Sequence, residues 1–217
     1  MLPLRLVAAE GGPLRVLCLG AHADDLEIGC GGTLMRLSGE QPSMAVRWIV
    51  FSSPNERKRE AAAGAKLFLA ECPDVETSLL DFRDGFFPAQ FAEIKEAFER
   101  LKADFRPSLV LTHFRGDMHQ DHRLVSELTW NTFRDHLIWE YEIPKYDGDL
   151  GNPNLFVPLS EEVVRRKVDG LLATFGTQRS RSWFAPETFR GLMRLRGVAC
   201  NAFSGFAEAF YCPKAVV

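Results

Sequence analysis

The apolar run Arg15 to Gly20, R-V-L-C-L-G, passes without a spacer into Ala21-His22-Ala23-Asp24-Asp25-Leu26-Glu27. A short apolar stretch ending in glycine suits a strand buried on both faces of a parallel sheet. One imidazole and three carboxylates then crowd the point where that strand hands over to a loop. Carboxylates this close repel one another unless a cation, or the amide dipoles of a helix N-terminus, offsets them, and both could act here. A bound metal explains the cluster economically.

Further along, strands and helices alternate. Met44 to Ser53 reads as a second strand, and Glu56 to Glu71, rich in alanine and halted by Pro73, as a helix. Phe91, Ile94, Phe98, Leu101 and Phe105 recur at helical spacing, and Pro107 then leads into a third strand, Leu109 to His113. Asp121 to His136 reads as helix, Leu137 to Ile143 as extended, Tyr146 to Pro158 as a loop rich in Pro, Gly, Asp and Asn, and Glu161 to Phe175 as a helix. The C-terminal third is less regular. The alternation predicts βαβ units in an α/β fold with a Rossmann-like sheet, whose ligands lie outside the carboxyl ends of the strands. Neither an internal repeat nor a Gly/Ser-rich linker divides the 217 residues, so one large domain is expected.

The strand Leu109 to His113 is followed by Asp117-Met118-His119-Gln120-Asp121-His122, and in a parallel sheet this second polar cluster shares an edge with the first. A catalytic zinc takes three protein ligands and keeps a fourth position for water; two histidines and one carboxylate are a recurrent set. His22, Asp25 and His122 would supply it. Asp24 then stays free as a base, and His119 as a general acid. Asp121 is expected to hydrogen-bond the His119 imidazole, fixing its tautomer and favouring its protonated form. Taken alone, His22 beside two aspartates also reads as a capped helix start, and Asp121 as an N-cap. His113 is expected to be a buried, hydrogen-bonded histidine rather than a ligand.

These residues resemble the LmbE-like, or PIG-L, family of metal-dependent N-deacetylases, with its A-H-P-D-D-x-E motif after the first strand and H-x-D-H further on. Here they stand as Ala21 to Glu27 and His119 to His122. Arg57-Lys58-Arg59-Glu60, Tyr141-Glu142-Ile143-Pro144, Thr177-Gln178 and Ala207-Glu208-Ala209-Phe210 carry the resemblance over most of the chain. Ala23 stands where proline is usual, which loosens the loop but removes no ligand. The resemblance implies a three-layer sandwich with a mostly parallel sheet, spanning residues 1–217 as one domain. It also implies a zinc-dependent hydrolase of linear amides that removes an acetyl group from an N-acetylated amino sugar, such as N-acetylglucosamine, or a similar small glycoside. His22, Asp25 and His122 would hold the zinc, with Fe2+ or another divalent metal as the substitute. Asp24 would take the water's proton, protonated His119 would stabilise the oxyanion, and one of the two would protonate the departing amine. The resemblance makes Glu27 a structural partner in the first helix and Arg57 a contact to sugar hydroxyls or an attached phosphate. A solvated helix face is the default for Arg57 and Arg59.

Composition removes several other classes. Twenty-six basic residues stand against 29 acidic ones, and no run of five like charges offers a phosphate-binding stripe, so nucleic acid is not an expected partner. Arg5 interrupts the short apolar N-terminal stretch, and no window approaches the roughly 18 apolar residues of a membrane span, which points to a cytoplasmic protein. Five widely spaced cysteines form no C-x-x-C pair. Homo-oligomerisation is left open. Two competing functions remain. Leu26-Glu27-Ile28-Gly29-Cys30-Gly31-Gly32 resembles the glycine turn of S-adenosylmethionine-dependent methyltransferases, although Asp24 and Asp25 interrupt the strand that turn requires, and glycines packing under a helix are expected instead. A non-catalytic sugar-binding module is the other, and Asp24 and His119 argue against it because binding alone needs no base. The two-histidine, one-carboxylate set of non-haem iron oxygenases requires a barrel of many strands that this alternation does not supply. Trp183, Phe184, Phe189 and Phe206 are expected in the core.

Overall fold

A computed structural model describes residues 3–6 and 12–216. Its strands are β1 (Arg15–His22), β2 (Ala45–Ser52), β3 (Asp74–Leu79), β4 (Leu109–His113), β5 (Leu137–Tyr141), β6 (Leu155–Pro158) and β7 (Ala207–Tyr211). Its α-helices are α1 (Asp25–Glu40), α2 (Glu56–Phe68), α3 (Phe91–Asp104), α4 (Gln120–Thr132), α5 (Glu161–Thr174) and α6 (Pro186–Ala199). The strands form one sheet in the order β3-β2-β1-β4-β5-β7-β6. Pairing is parallel from β3 to β5, and β7 runs antiparallel to both of its neighbours. This is the expected mostly parallel α/β sheet, with its topological switch between β1 and β4.

Alternation along β1 divides the core. Val16 and Cys18 join one apolar cluster with residues of α1, α2, α5 and α6, whereas Leu17 and Leu19 join a second with residues of α3 and α4. Helices on both faces explain why the central strands carry no polar alternation. Phe184, Phe189 and Phe206 are buried as expected, with Trp183 packed at the margin.

Several boundaries shift. β1 continues through His22, two residues beyond the predicted glycine, so the first histidine is itself the strand's last residue. α4 starts at Gln120 and stops at Thr132, with His136 in the turn beyond it. Four elements were not anticipated: β3, β6, α6 and β7. β3 is a largely exposed edge strand, D-V-E-T-S-L, and an edge needs no apolar run. Among the described residues no helix is long and apolar enough to cross a membrane.

The glycines of α1 settle one competing reading. Gly29, Gly31 and Gly32 lie within the helix rather than in a strand-to-helix turn, so the methyltransferase resemblance fails. Close packing requires them instead. A Cβ at Gly29 would stand 2.2 Å from the Tyr141 ring, and one at Gly31 would stand 2.5 Å from Phe68. Tyr141 cannot give way easily, because its hydroxyl donates to the Leu19 carbonyl at 2.8 Å. Gly29→Ala is therefore expected to destabilise the protein by about 1–3 kcal/mol through overpacking, despite alanine's better helix propensity. A denaturant midpoint equal to that of the parent would contradict this packing.

Candidate metal centre

β1 and β4 are paired neighbours, and both end in histidine at the same edge of the sheet. Beyond His22 the chain turns sharply. Asp24 adopts φ 101°, a left-handed conformation costing a non-glycine residue on the order of 1–3 kcal/mol, before α1 begins. The His22 amide donates to Asp25 Oδ2 at 2.6 Å and closes this turn. On the other side His119, extended at ψ 124°, is the N-cap of α4, and its Nδ1 accepts from the Asp121 amide at 3.3 Å.

These two turns bring His22, Asp25 and His122 together. His22 Nδ1 lies 3.2 Å from His122 Nε2, and each of these nitrogens is 3.5 Å from an Asp25 oxygen. The two Asp25 contacts are made by different oxygens, Oδ2 toward His22 and Oδ1 toward His122. Two groups whose donor atoms all lie within 4.8 Å of one another share His122: His22, His119 and His122, and Asp25, His113 and His122. The far nitrogens of the His22 and His122 rings each face a carboxylate. His22 Nε2 faces Asp121 Oδ2 at 3.1 Å, and His122 Nδ1 faces Asp117 Oδ2 at 2.9 Å. A carboxylate on one nitrogen holds the proton there and turns the other lone pair toward the centre. Two ring nitrogens and a carboxylate thus converge on one point.

The remaining predicted residues surround this triplet. Asp24 is buried, and its Oδ1 accepts from Arg57 at 2.8 Å. Arg57 is not a solvated face: its guanidinium also donates to the Ala23 carbonyl and, at 3.2 Å, to Thr177 Oγ1, and lies 3.5 Å from Glu60. The His119 ring is 4.9 Å from that of His22 and 4.7 Å from that of His122. Asp121 departs from expectation. Its carboxylate does not hydrogen-bond His119; it binds His22 and accepts from the amides of Gly85 and Phe87 at 2.7 and 3.1 Å. The first turn of α4 aims that side chain at the 85–87 segment, and only its backbone amide reaches His119. Glu27 is buried with both oxygens unpartnered, pressed against Gly64 of α2.

The electrostatics follow from burial and these partners. Burial raises the Asp24 carboxyl to about 7 against the pull of Arg57, with the charge of Asp25 adding to the rise. Burial also disfavours a charged Asp25, but His122 and His113 outweigh it and hold the carboxyl well below its usual range. Burial opposes charge on His22, yet its contacts with Asp121, Asp25 and Asp84 prevail and raise it. Burial and the neighbouring His113 bring His122 down to about 4. Burial and the charge of His22 also lower His119, contrary to the protonated form expected for it. With Nδ1 accepting from the Asp121 amide, a neutral His119 carries its proton on Nε2 and remains a donor there.

Four residues without an assigned role also touch the centre. Asp117 accepts from the His119 amide at 2.7 Å as well as holding His122, and Lys145 lies 2.9 Å from its Oδ2. Asp84, on the exposed loop after β3, places Oδ1 3.1 Å from His22 Nε2. His113 is fully buried, accepts from the Ala21 amide at 2.9 Å and lies 3.2 Å from Asp25 Oδ2. That confirms a buried, hydrogen-bonded histidine, although its position also makes a buried potential ligand group with Asp25 and His122. Asp117 was visible inside the second polar cluster; Asp84 and Lys145 had no motif around them. If Asp117 orients His122, Asp117→Asn weakens zinc affinity about tenfold to a hundredfold in a chelator competition, and an unchanged affinity would exclude that role.

Residues 17–133 match the PIG-L family, described as GlcNAc-PI de-N-acetylase. An uncharacterized deacetylase of Escherichia coli (strain K12), YaiS, is 29% identical over 169 residues, covering 72% of this chain and 88% of that protein. Among solved structures, the conserved protein TT1542 of Thermus thermophilus superposes with a TM-score of 0.71 at 24% identity, covering 94% of this chain and 96% of that one. The N,N'-diacetylchitobiose deacetylase of Pyrococcus horikoshii gives a TM-score of 0.67 at 18% identity, covering 91% of this chain and 82% of that one. The family match spans more than half of the chain and contains both polar clusters: this chain belongs to the PIG-L family of de-N-acetylases.

Proposed function

We propose that this protein is a metal-dependent hydrolase that removes the acetyl group from an N-acetylated amino sugar or similar small glycoside. The observation that carries the reading is the convergence of His22 Nδ1, His122 Nε2 and the Asp25 carboxylate within 3.2–3.5 Å, with a second buried carboxylate, Asp24, beside it. Family membership and the fold shared with a chitobiose deacetylase support it. A divalent cation, zinc or Fe2+, acidifies water and polarises a carbonyl when bound to such a set.

The chain's own groups supply the rest. Asp24 accepts the proton of the attacking water, a task suited to a carboxyl raised to about 7. Arg57 keeps Asp24 Oδ1 in place. His119 donates from Nε2 to the oxygen that gains charge as the tetrahedral centre forms, and it can do so while neutral. The departing amine takes its proton from Asp24 or His119. Asp121 and Asp117 act behind the histidines and not on the substrate. A reducing, cytoplasmic setting suits this chemistry and the five free cysteines.

Elemental analysis tests the first step: about one zinc or iron per chain, lost in a His22→Ala/His122→Ala variant, is the expected result. Metal-free protein after reloading with both ions would end the hydrolase reading. Asp24→Asn, which tolerates the left-handed backbone, is then expected to keep the metal and to cut acetate release from an N-acetylglucosamine glycoside by about two to four orders of magnitude. Loss of metal in that variant would make Asp24 a ligand, and sugar binding without acetate release by the parent would favour a non-catalytic module.

A further inference from the structure

Lys167 of α5 and Glu208 of β7 are buried, with Nζ and Oε1 2.5 Å apart. Neither touches the donor triplet; both reach into the backbone of α1. The contacts fall in the interior of α1, which is continuous from Asp25 to Glu40 and in which the amides of Gly32 and Thr33 point toward the carbonyls of Ile28 and Gly29. The same amides donate to Glu208 Oε1 and Oε2 at 2.8 and 2.7 Å, and the Ile28 carbonyl accepts from Lys167 Nζ at 2.5 Å. A carboxylate and an ammonium thus engage backbone donors and an acceptor in the middle of α1. Gly32 makes this possible, since a Cβ there would stand 2.8 Å from Glu208 Oε1 and 2.6 Å from Leu159 Cδ1.

The turn that precedes these contacts runs from Asp24 to Ile28, closed by the Ile28 amide on the Asp24 carbonyl at 2.9 Å. It carries Asp24 and Asp25. We propose that Lys167 and Glu208 are positioning residues: by gripping the backbone of α1 at Ile28, Gly32 and Thr33, they set the direction of its first turn and so hold the Asp25 carboxylate against His22 and His122. The proposal rests on the metal site of the preceding section. Simple stabilisation is a poor account of the pair, because exchanging a buried ion pair for apolar residues is often neutral or stabilising.

That exchange is the test. In a Lys167→Met/Glu208→Leu variant no lone charge is left buried, and the Gly32 and Thr33 amides have the Ile28 and Gly29 carbonyls as acceptors. The folded variant is expected to keep a melting temperature near that of the parent, to bind zinc about tenfold to a hundredfold more weakly by chelator competition, and to lose kcat with little change in KM. Its Ile28 and Gly29 amides should exchange hydrogen about tenfold faster or more. Parental zinc affinity together with parental exchange at these amides overturns the proposal. If the parent itself binds no zinc, the metal site fails, and the exchange data still report whether the pair holds the turn. Should the double variant not fold, Gly32→Ala attacks the same contact from the helix side; weakened zinc binding by the folded protein supports the proposal, and parental affinity overturns it.

Discussion

Three polar groups, His22 Nδ1, His122 Nε2 and the Asp25 carboxylate, lie 3.2–3.5 Å apart, with Asp25 and His122 buried and His22 partly exposed. Such a cluster is stable only if something positive sits among its members, and the surrounding chain is built around that demand. Asp121 and Asp117 occupy the outer nitrogens of the two rings and hold their orientation. Arg57 neutralises Asp24, and Lys145 neutralises Asp117. Asp25 has no Arg or Lys partner among the described residues. Its balancing charge has to come from the histidines or from a bound cation.

The sheet makes this convergence possible. β1 and β4 are adjacent and parallel, and the strand order reverses between them, so the chain leaves the same edge twice in opposite senses and opens a crevice there. Each exit then needs a different device. After β1 the left-handed Asp24 bends the backbone so that His22 and Asp25, three residues apart, face one point. After β4 the turn through Asp117 and the His119 cap deliver His122 from the first turn of α4. The glycines of α1 let that helix lie close enough to Tyr141 and Phe68 for the first exit to reach the second.

The sheet centre and the meeting of the two polar clusters at one sheet edge were legible because each depends on local pattern. Apolar runs at Arg15 and Leu109 announce strands buried on both faces, and charge placed directly after them announces a strand-end site. What could not be read depends on contacts distant in sequence. Asp121 was matched to its neighbour His119, yet its carboxylate crosses 99 residues to His22. Asp84 and Lys145 reach the centre from loops whose sequence carries no periodicity. β3 hides because an exposed edge selects little beyond extended backbone, and β6 and β7 because they lie in the irregular C-terminal third. Glu208 was visible only as part of a weak motif, since nothing in one sequence says that a carboxylate on the penultimate element of the sheet enters the first helix.

The alanine at position 23 illustrates how the fold replaces a local constraint by a tertiary one. Proline would restrict the backbone just before the strained Asp24 through its fixed φ. Ala23 has no such ring, but it is fully buried, and its carbonyl accepts a hydrogen bond from Arg57. The same guanidinium holds Asp24 Oδ1, while Glu60 and Thr177 hold the guanidinium in turn. Glu60 also accepts from the Thr177 amide and hydroxyl, at 2.8 and 2.6 Å. The loop is thereby tied through α2 to the segment after α5. Its stiffness is shared among four side chains and one carbonyl, and any one of these contacts can influence where the Asp24 carboxylate points.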